Sequence, residues 1–338
     1  MEQLHAPQLD REYATGLASI GETGIPPPSL AVGDIAGRRQ RFNTRIQKAL
    51  STAPPTPNIA QRSHKIRTPD GATITLEEFR PKTAPLAASS PAIYHIHGGG
   101  MILGSVAAFT PALAARAEQY GLPIFSIEYR LAPENSHPLP VNDCYAGLAW
   151  LHANARELQI DRHRIMVLGE SAGGGLAAGI TLMARDKGLS PPIAYQMLIY
   201  PMLDDRNVHP RPSIEPYTKW RSDDSKTAWT ALLGGAAGSG QDSDEAMAIV
   251  GHEYAAPARV RSVEDLPPTY IDVGGLDYFA REGIEYAARL LDAGVRVELH
   301  VYPGLPHDFE WIGAGARIVR GALENRQRVI EEIKVQKN

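Results

Sequence analysis

Cysteine is almost missing from this chain: Cys144 is the one such residue in 338. No internal disulfide can form, and a cysteine-rich zinc site is excluded. Cys144 falls in an apolar helical pattern, where a small core residue is expected. Long hydrophobic runs are absent too. Nothing approaches the roughly 18 consecutive apolar residues that would span a bilayer. The segment from Met1 to Ile20 carries Glu2, Asp10, Arg11 and Glu12 and has no apolar block of signal-peptide length. A cytoplasmic protein without a membrane span is therefore expected. Charge is modest, at 21% of residues and a net -4, which gives no reason to expect nucleic acid or an anionic membrane as partner. There is no internal repeat. What the chain does have is apolar content, 43% of residues, enough for a large buried core.

The first fifty-odd residues differ from the rest. Pro26-Pro27-Pro28 and Pro54-Pro55-Thr56-Pro57 bracket an arginine-rich, helix-forming stretch from Ile35 to Leu50. Residues 1–60 are read as short helices and connectors outside the main sheet. From Ser63 onward the pattern alternates. Strands are expected at 64–68, 72–79, 91–96, 123–127, 165–168, 193–199, 269–273 and 295–301. Helices are expected at 113–120, 141–155, 174–186, 282–293 and 318–333. Such alternation predicts an α/β protein with a mostly parallel sheet covered by helices on both faces. Pro201 to about Arg261 breaks the rhythm with prolines, aromatics and the glycine-rich run 234–240. A segment that long between sheet elements reads as an insertion, about 203–260, that walls or lids a site.

The most informative motif is Gly169-Glu170-Ser171-Ala172-Gly173. It follows the apolar run Ile165 to Leu168 and precedes a helix-forming stretch, as a strand–turn–helix nucleophile elbow requires. Side chains at Gly169 or Gly173 would collide with neighbouring backbone, while Ser171 sits in a strained bend. The Ala172 amide opens the helix and faces an anion forming beside the hydroxyl. His97-Gly98-Gly99-Gly100 follows the strand at 91–96, and its glycines let backbone N–H groups approach a reacting centre. His97 itself reads as a hydrogen-bonding residue that fixes the loop.

A base and an acid must complete the set. His307 lies in a loop just after the strand 295–301, at the carboxyl end where such sheets place their chemistry. His300, inside that strand, is read as structural. Two carboxylates lie at or after the strand 269–273. Asp272 sits within the strand and Asp277 in the loop beyond it, and the loop position favours Asp277. Ser171, Asp277 and His307 then follow the chain order of an α/β hydrolase. A metal site using His95 and His97 is the competing reading, but no carboxylate–histidine cluster accompanies them.

These segments, with Glu128-Tyr129-Arg130-Leu131-Ala132-Pro133-Glu134, resemble the hormone-sensitive-lipase-like esterases, also called bacterial family IV, from about residue 63 to 310. Tyr200 to Arg206 resembles one branch of that group. The resemblance implies an α/β-hydrolase fold with a helical cap, and a serine carboxylesterase acting on small-molecule acyl esters without a cofactor or metal. It also implies an oxyanion hole in which Gly99, Gly100 and Ala172 donate and Gly98 shapes the loop. Many members are dimers, so a homodimer is an expectation. An amidase or arylformamidase would use the same triad, and a non-catalytic binding homologue would be expected to lack one of its members. Two positions depart from the family pattern. Ala280-Arg281 stands where Arg-Asp is common, and Asp308 where glycine often follows the histidine.

Overall fold

The computed structural model describes residues 7–82, 89–238, 248–313 and 315–335. Eight strands form one sheet: β1 (Ile59–Arg67), β2 (Thr73–Pro81), β3 (Ser90–Ile96), β4 (Ile124–Glu128), β5 (Ile160–Glu170), β6 (Tyr195–Ile199), β7 (Thr269–Gly274) and β8 (Val297–Tyr302). Their spatial order is β1-β2-β4-β3-β5-β6-β7-β8. Strand β2 runs antiparallel to both β1 and β4, and every pairing from β4 through β8 is parallel. The helices are α1 (Arg11–Ser19), α2 (Ile35–Thr52), α3 (Val106–Tyr120), α4 (Leu139–Ala153), α5 (Ala172–Asp186), α6 (Ser222–Leu233), α7 (His252–Ala255), α8 (Ala280–Asp292), α9 (Glu310–Gly313) and α10 (Arg317–Val335). Among the described residues, no helix is long and apolar enough to cross a membrane.

Side chains alternate across the sheet and so build two cores from one set of strands. On one face Tyr94, Ile96, Val167 and Ile271 pack with residues of α4, α5 and α8. On the other, Ile93, Met166, Met197 and Tyr270 pack with α1, α3 and α10. Central strands buried on both faces read as nearly continuous apolar runs, which is how β3 and β5 stood out in the sequence.

Each expected strand and helix is present, with shifted ends. The largest difference is α3, which begins at Val106 rather than Leu113. Pro111 sits inside the helix, within its first two turns. The helix starts seven residues earlier than expected because the Ser105 hydroxyl accepts the Ala108 N–H and caps it. Strand β1 likewise begins at Ile59 and pairs with β2 along its whole length.

Segments outside the sheet meet over the carboxyl ends of its strands. Helix α2 is tied to α6 by a buried ion pair, Arg38 Nε to Asp224 Oδ1, at 2.8 Å. The Gly33 N–H donates to the Thr227 hydroxyl at 3.0 Å. Arg39 donates to the Ile102 carbonyl at 2.7 Å and forks onto Glu134.

Candidate active site

Strand β5 ends at Glu170, and the chain turns sharply into α5 at Ser171. Ser171 has φ 56° and ψ -120°, a left-handed conformation costly for any residue with a Cβ. Its neighbours hold it there. The Ser171 N–H donates to the Ile199 carbonyl at 2.9 Å, and the Met202 N–H donates to the Ser171 carbonyl at 2.9 Å. A Cβ on Gly169 would run into the Gly173 carbonyl, and one on Gly173 into the carbonyls of Ile96 and His97. Both glycines are required by close approach.

His307 and Asp277 come from adjacent loops at the ends of β8 and β7. The loops are fastened by backbone: the Leu276 N–H donates to the Leu305 carbonyl at 2.9 Å, and Gly274 leaves room for that carbonyl. The Phe279 N–H holds Asp277 Oδ1 at 2.9 Å, leaving Oδ2 to face His307 Nδ1 at 2.7 Å. The far side of the ring, Nε2, lies 3.0 Å from Ser171 Oγ. Tyr200 and Phe279 meet the imidazole edge-on, with centroids at 4.6 and 5.2 Å, and fix its plane. Residues separated by 136 positions in sequence thus form one hydrogen-bonded relay. Asp272, the alternative acid, is engaged elsewhere. It takes the Arg326 guanidinium at 2.6 and 3.0 Å and the Tyr270 hydroxyl at 2.9 Å.

Burial works against a charged His307, but Asp277 and then Asp308 outweigh it and raise the pKa above the ordinary histidine value. Asp308 Oδ1 stands 3.7 Å from His307 Nε2, on the serine side of the ring. Burial opposes ionisation of Asp308 as well, yet His307, Arg45 and Lys219 together keep its pKa below the usual carboxylate value. Its φ of 55° lies where glycine is most at ease.

The glycine loop supplies donors. The N–H groups of Gly98, Gly99, Gly100 and Ala172 donate to no protein acceptor among the described residues. Buried N–H groups are rarely left unpaired, and here they stand close to Ser171: a Cβ on Gly98 would touch the Ser171 Cβ at 3.3 Å. Gly98 and Gly99 border the cavity above Ser171, whereas Gly100, at φ 59°, sits beneath the Trp220 ring. His97 fixes this loop as its sequence position suggested. Its Nδ1 meets the Gly98 carbonyl at 2.8 Å, and its ring stacks on Tyr129 at 4.3 Å. Burial drives its pKa down to about 4, so the ring is neutral.

His95, half of the competing metal reading, is bonded to Ser126 Oγ at 2.8 Å and Glu170 Oε2 at 2.7 Å. Among the described residues, no group of three or more His, Cys, Asp or Glu side chains could hold a metal. His300 pairs with Glu298 on β8 at 2.7 Å, apart from the relay.

A cavity of about 310 Å³ opens above Ser171 and His307. Its floor is the strand ends. Its walls come from α1 and α2 on one side and from Lys219 to Asp224 on the other. The sequence marked the segments that hold Tyr200 and Lys219 but did not single out these two side chains, because both reach the cavity through long-range folding of loops.

Residues 93–311 match a protein family described as having the alpha/beta hydrolase fold. The chain belongs to this family. It is 32% identical over 270 residues to esterase LipI of Mycobacterium tuberculosis, a match covering 76% of each chain. It is 28% identical over 270 residues to an ethyl acetate hydrolase of Pseudomonas putida, covering 79% of this chain and 80% of that one. Among solved structures, a bacterial heroin esterase superposes with a TM-score of 0.84 at 34% identity, covering 97% of this chain and 99% of the other. This α/β hydrolase is a carboxylic ester hydrolase of the hormone-sensitive-lipase-like group, as the sequence resemblance implied.

Proposed function

We propose that catalysis runs through Ser171, with His307 as base and Asp277 as its orienting acid, on short-to-medium acyl esters. The supporting observation is the continuous relay from Asp277 Oδ2 through His307 to Ser171 Oγ, with gaps of 2.7 and 3.0 Å. In this reading the Ser171 hydroxyl attacks the ester carbonyl carbon as its proton passes to His307 Nε2. The carbonyl π pair moves onto oxygen, and the tetrahedral oxyanion takes the N–H groups of Gly99, Gly100 and Ala172. The C–O bond to the alcohol breaks, and His307 returns the proton to that leaving oxygen. Water deprotonated by the same histidine then attacks the acyl-serine, releasing the acid and regenerating Ser171. Asp277 holds the Nδ1 proton in place and stabilises the imidazolium.

Residues 1–60 and about 203–260 form the cap in this proposal and set the acyl preference. The Arg38–Asp224 pair between α2 and α6 supports their acting as one wall. A cytoplasmic setting fits the lone, buried, unpaired Cys144. The test is Ser171→Ala assayed on p-nitrophenyl esters of increasing acyl length, with a fluorophosphonate probe. The wild-type chain should label and turn over, while the variant does neither. Parental turnover by the variant would overturn the proposal.

A further inference from the structure

The cavity wall above the relay carries more positive charge than its own carboxylates neutralise. Two pairs are closed: Arg38 with Asp224 at 2.8 Å, and Arg45 with Asp308 at 3.3 Å. Lys219, Arg221 and Arg41 also line the cavity, and none of their side chains pairs with a carboxylate among the described residues, although the Arg221 main-chain N–H donates to Asp224 Oδ2 at 2.9 Å. The half-buried Lys219 ammonium reaches only the Asp308 main-chain carbonyl, at 3.5 Å. Arg221 Nε is shielded from solvent with no hydrogen-bond partner. Arg41 touches only the Pro28 carbonyl, at 3.1 Å, near the mouth. Against these three stands Glu22, an exposed rim residue. Glu170, the remaining carboxylate of the lining, is taken up by His95 and Arg116 beneath the elbow.

Cations gathered in a partly dry site without counter-charge raise the cost of folding, and an incoming anion relieves it. Lys219 records that cost: burial pushes its ammonium down to about 8, against the pull of Asp308 and with Arg45 adding repulsion. Its contact with the carbonyl of Asp308, the residue after His307, places it beside the reacting centre. A carboxylate on the substrate, a few bonds from the scissile ester, would accept from Lys219 and Arg221 while the carbonyl carbon faces Ser171.

We propose that this hydrolase is selective for esters bearing a carboxylate, recognised by Lys219 and Arg221 with Arg41 at the entrance. The proposal rests on the Ser171 mechanism and names the substrate class of that site. Charge-assisted hydrogen bonds inside a site favour the charged substrate by roughly tenfold to a hundredfold in kcat/KM.

The experiment compares two matched pairs on the wild-type chain. One places the carboxylate on the acyl side, mono-p-nitrophenyl adipate against p-nitrophenyl hexanoate. The other places it on the alcohol side, 3-acetoxybenzoate against phenyl acetate. In at least one pair the anionic ester should win by about tenfold or more, less so as salt rises. Lys219→Met should bring that ratio back towards one, and Lys219→Arg should retain most of it. If both neutral esters are preferred by the wild-type chain, or if Lys219→Met leaves the ratio intact, the proposal is overturned. Turnover of the neutral esters separately tests the Ser171 mechanism, so the two failures are distinguishable.

Discussion

Replacing each of the two aspartates near β7 by asparagine separates the chemistry of the site from the stability of its frame. Asp272 is fully buried and forks with Arg326, itself 2% exposed, at 2.6 and 3.0 Å. Asp272→Asn leaves a buried guanidinium short of one anion. Breaking such a pair costs about 3–5 kcal/mol, and the low end applies because Glu310 Oε1 still holds Arg326 Nη1 at 2.7 Å. At about 2.1 cal/mol/K per residue the unfolding entropy of this chain is on the order of 0.7 kcal/mol/K, so the melting temperature falls by about 4 °C. Activity below that transition should be little changed, because Asp272 does not touch the relay. Asp277→Asn should do the opposite. Asparagine is nearly isosteric and leaves no cation stranded, but it cannot hold the Nδ1 proton or balance the imidazolium, so kcat/KM drops by about 10⁴. The assays are thermal unfolding and initial rates on one chromogenic ester, run on the same preparations. A large rate loss in Asp272→Asn with unchanged melting would refute the division of roles. So would near-parental rates in Asp277→Asn.

The pH profile follows from the elevated His307 pKa. Only the neutral imidazole accepts the Ser171 proton, so kcat/KM should fade on the acid side at a pH above the ordinary histidine value. Asp308→Asn removes one of the two anions responsible and should move that limb to lower pH. An unmoved limb would show that the 3.7 Å approach carries no coupling. At the elbow, Gly169→Ala forces a Cβ into the Gly173 carbonyl. Overpacking of this kind costs about 1–3 kcal/mol, or about 1–4 °C of melting temperature, with a loss of activity. Gly16→Ala, in open space on α1, is the contrasting case. Helix propensity alone should raise stability by about 0.5–1 kcal/mol. Equal melting temperatures for the two variants would argue against the steric account.

How much of this was legible in the sequence depended on how local the determining interaction is. The elbow was readable because its glycines are demanded by contacts between residues 169 and 173 and by an adjacent strand. The central strands β3, β5, β6 and β7 were readable because burial on both faces leaves apolar runs. The choice between Asp272 and Asp277 was made on loop position alone. What engages Asp272 is Arg326, 54 residues further on, and nothing near Asp272 announces it. The start of α3 was placed seven residues too late because the cap at Ser105, which sets it, was not read in the sequence. The segments holding Lys219 and Tyr200 were marked, but not these side chains individually, since their positions are set where loops from distant parts of the chain close over the strand ends.

Ser171 and Asp308, two of the non-glycine residues held at positive φ beside the cavity floor, are supported in different ways. Each left-handed conformation costs about 1–3 kcal/mol and persists only where its surroundings over-determine it. Below Ser171 the surroundings are rigid. Glu170 is buried between His95 and Arg116, and His95 is held in turn by Ser126 on β4. Burial alone would raise the Glu170 pKa, but His95 and Arg116 hold it well below the usual carboxylate range. Losing either partner would strand a buried charge at a cost of about 3–5 kcal/mol. Asp308, by contrast, is held by Arg45, whose side chain is 43% exposed, through a pair worth about 0–1 kcal/mol. Ser171 is therefore fixed by the sheet, whereas the carboxylate beside His307 is fixed only by peripheral segments. Changes in α2 or around Lys219 can retune the histidine and the substrate wall without disturbing the geometry of Ser171.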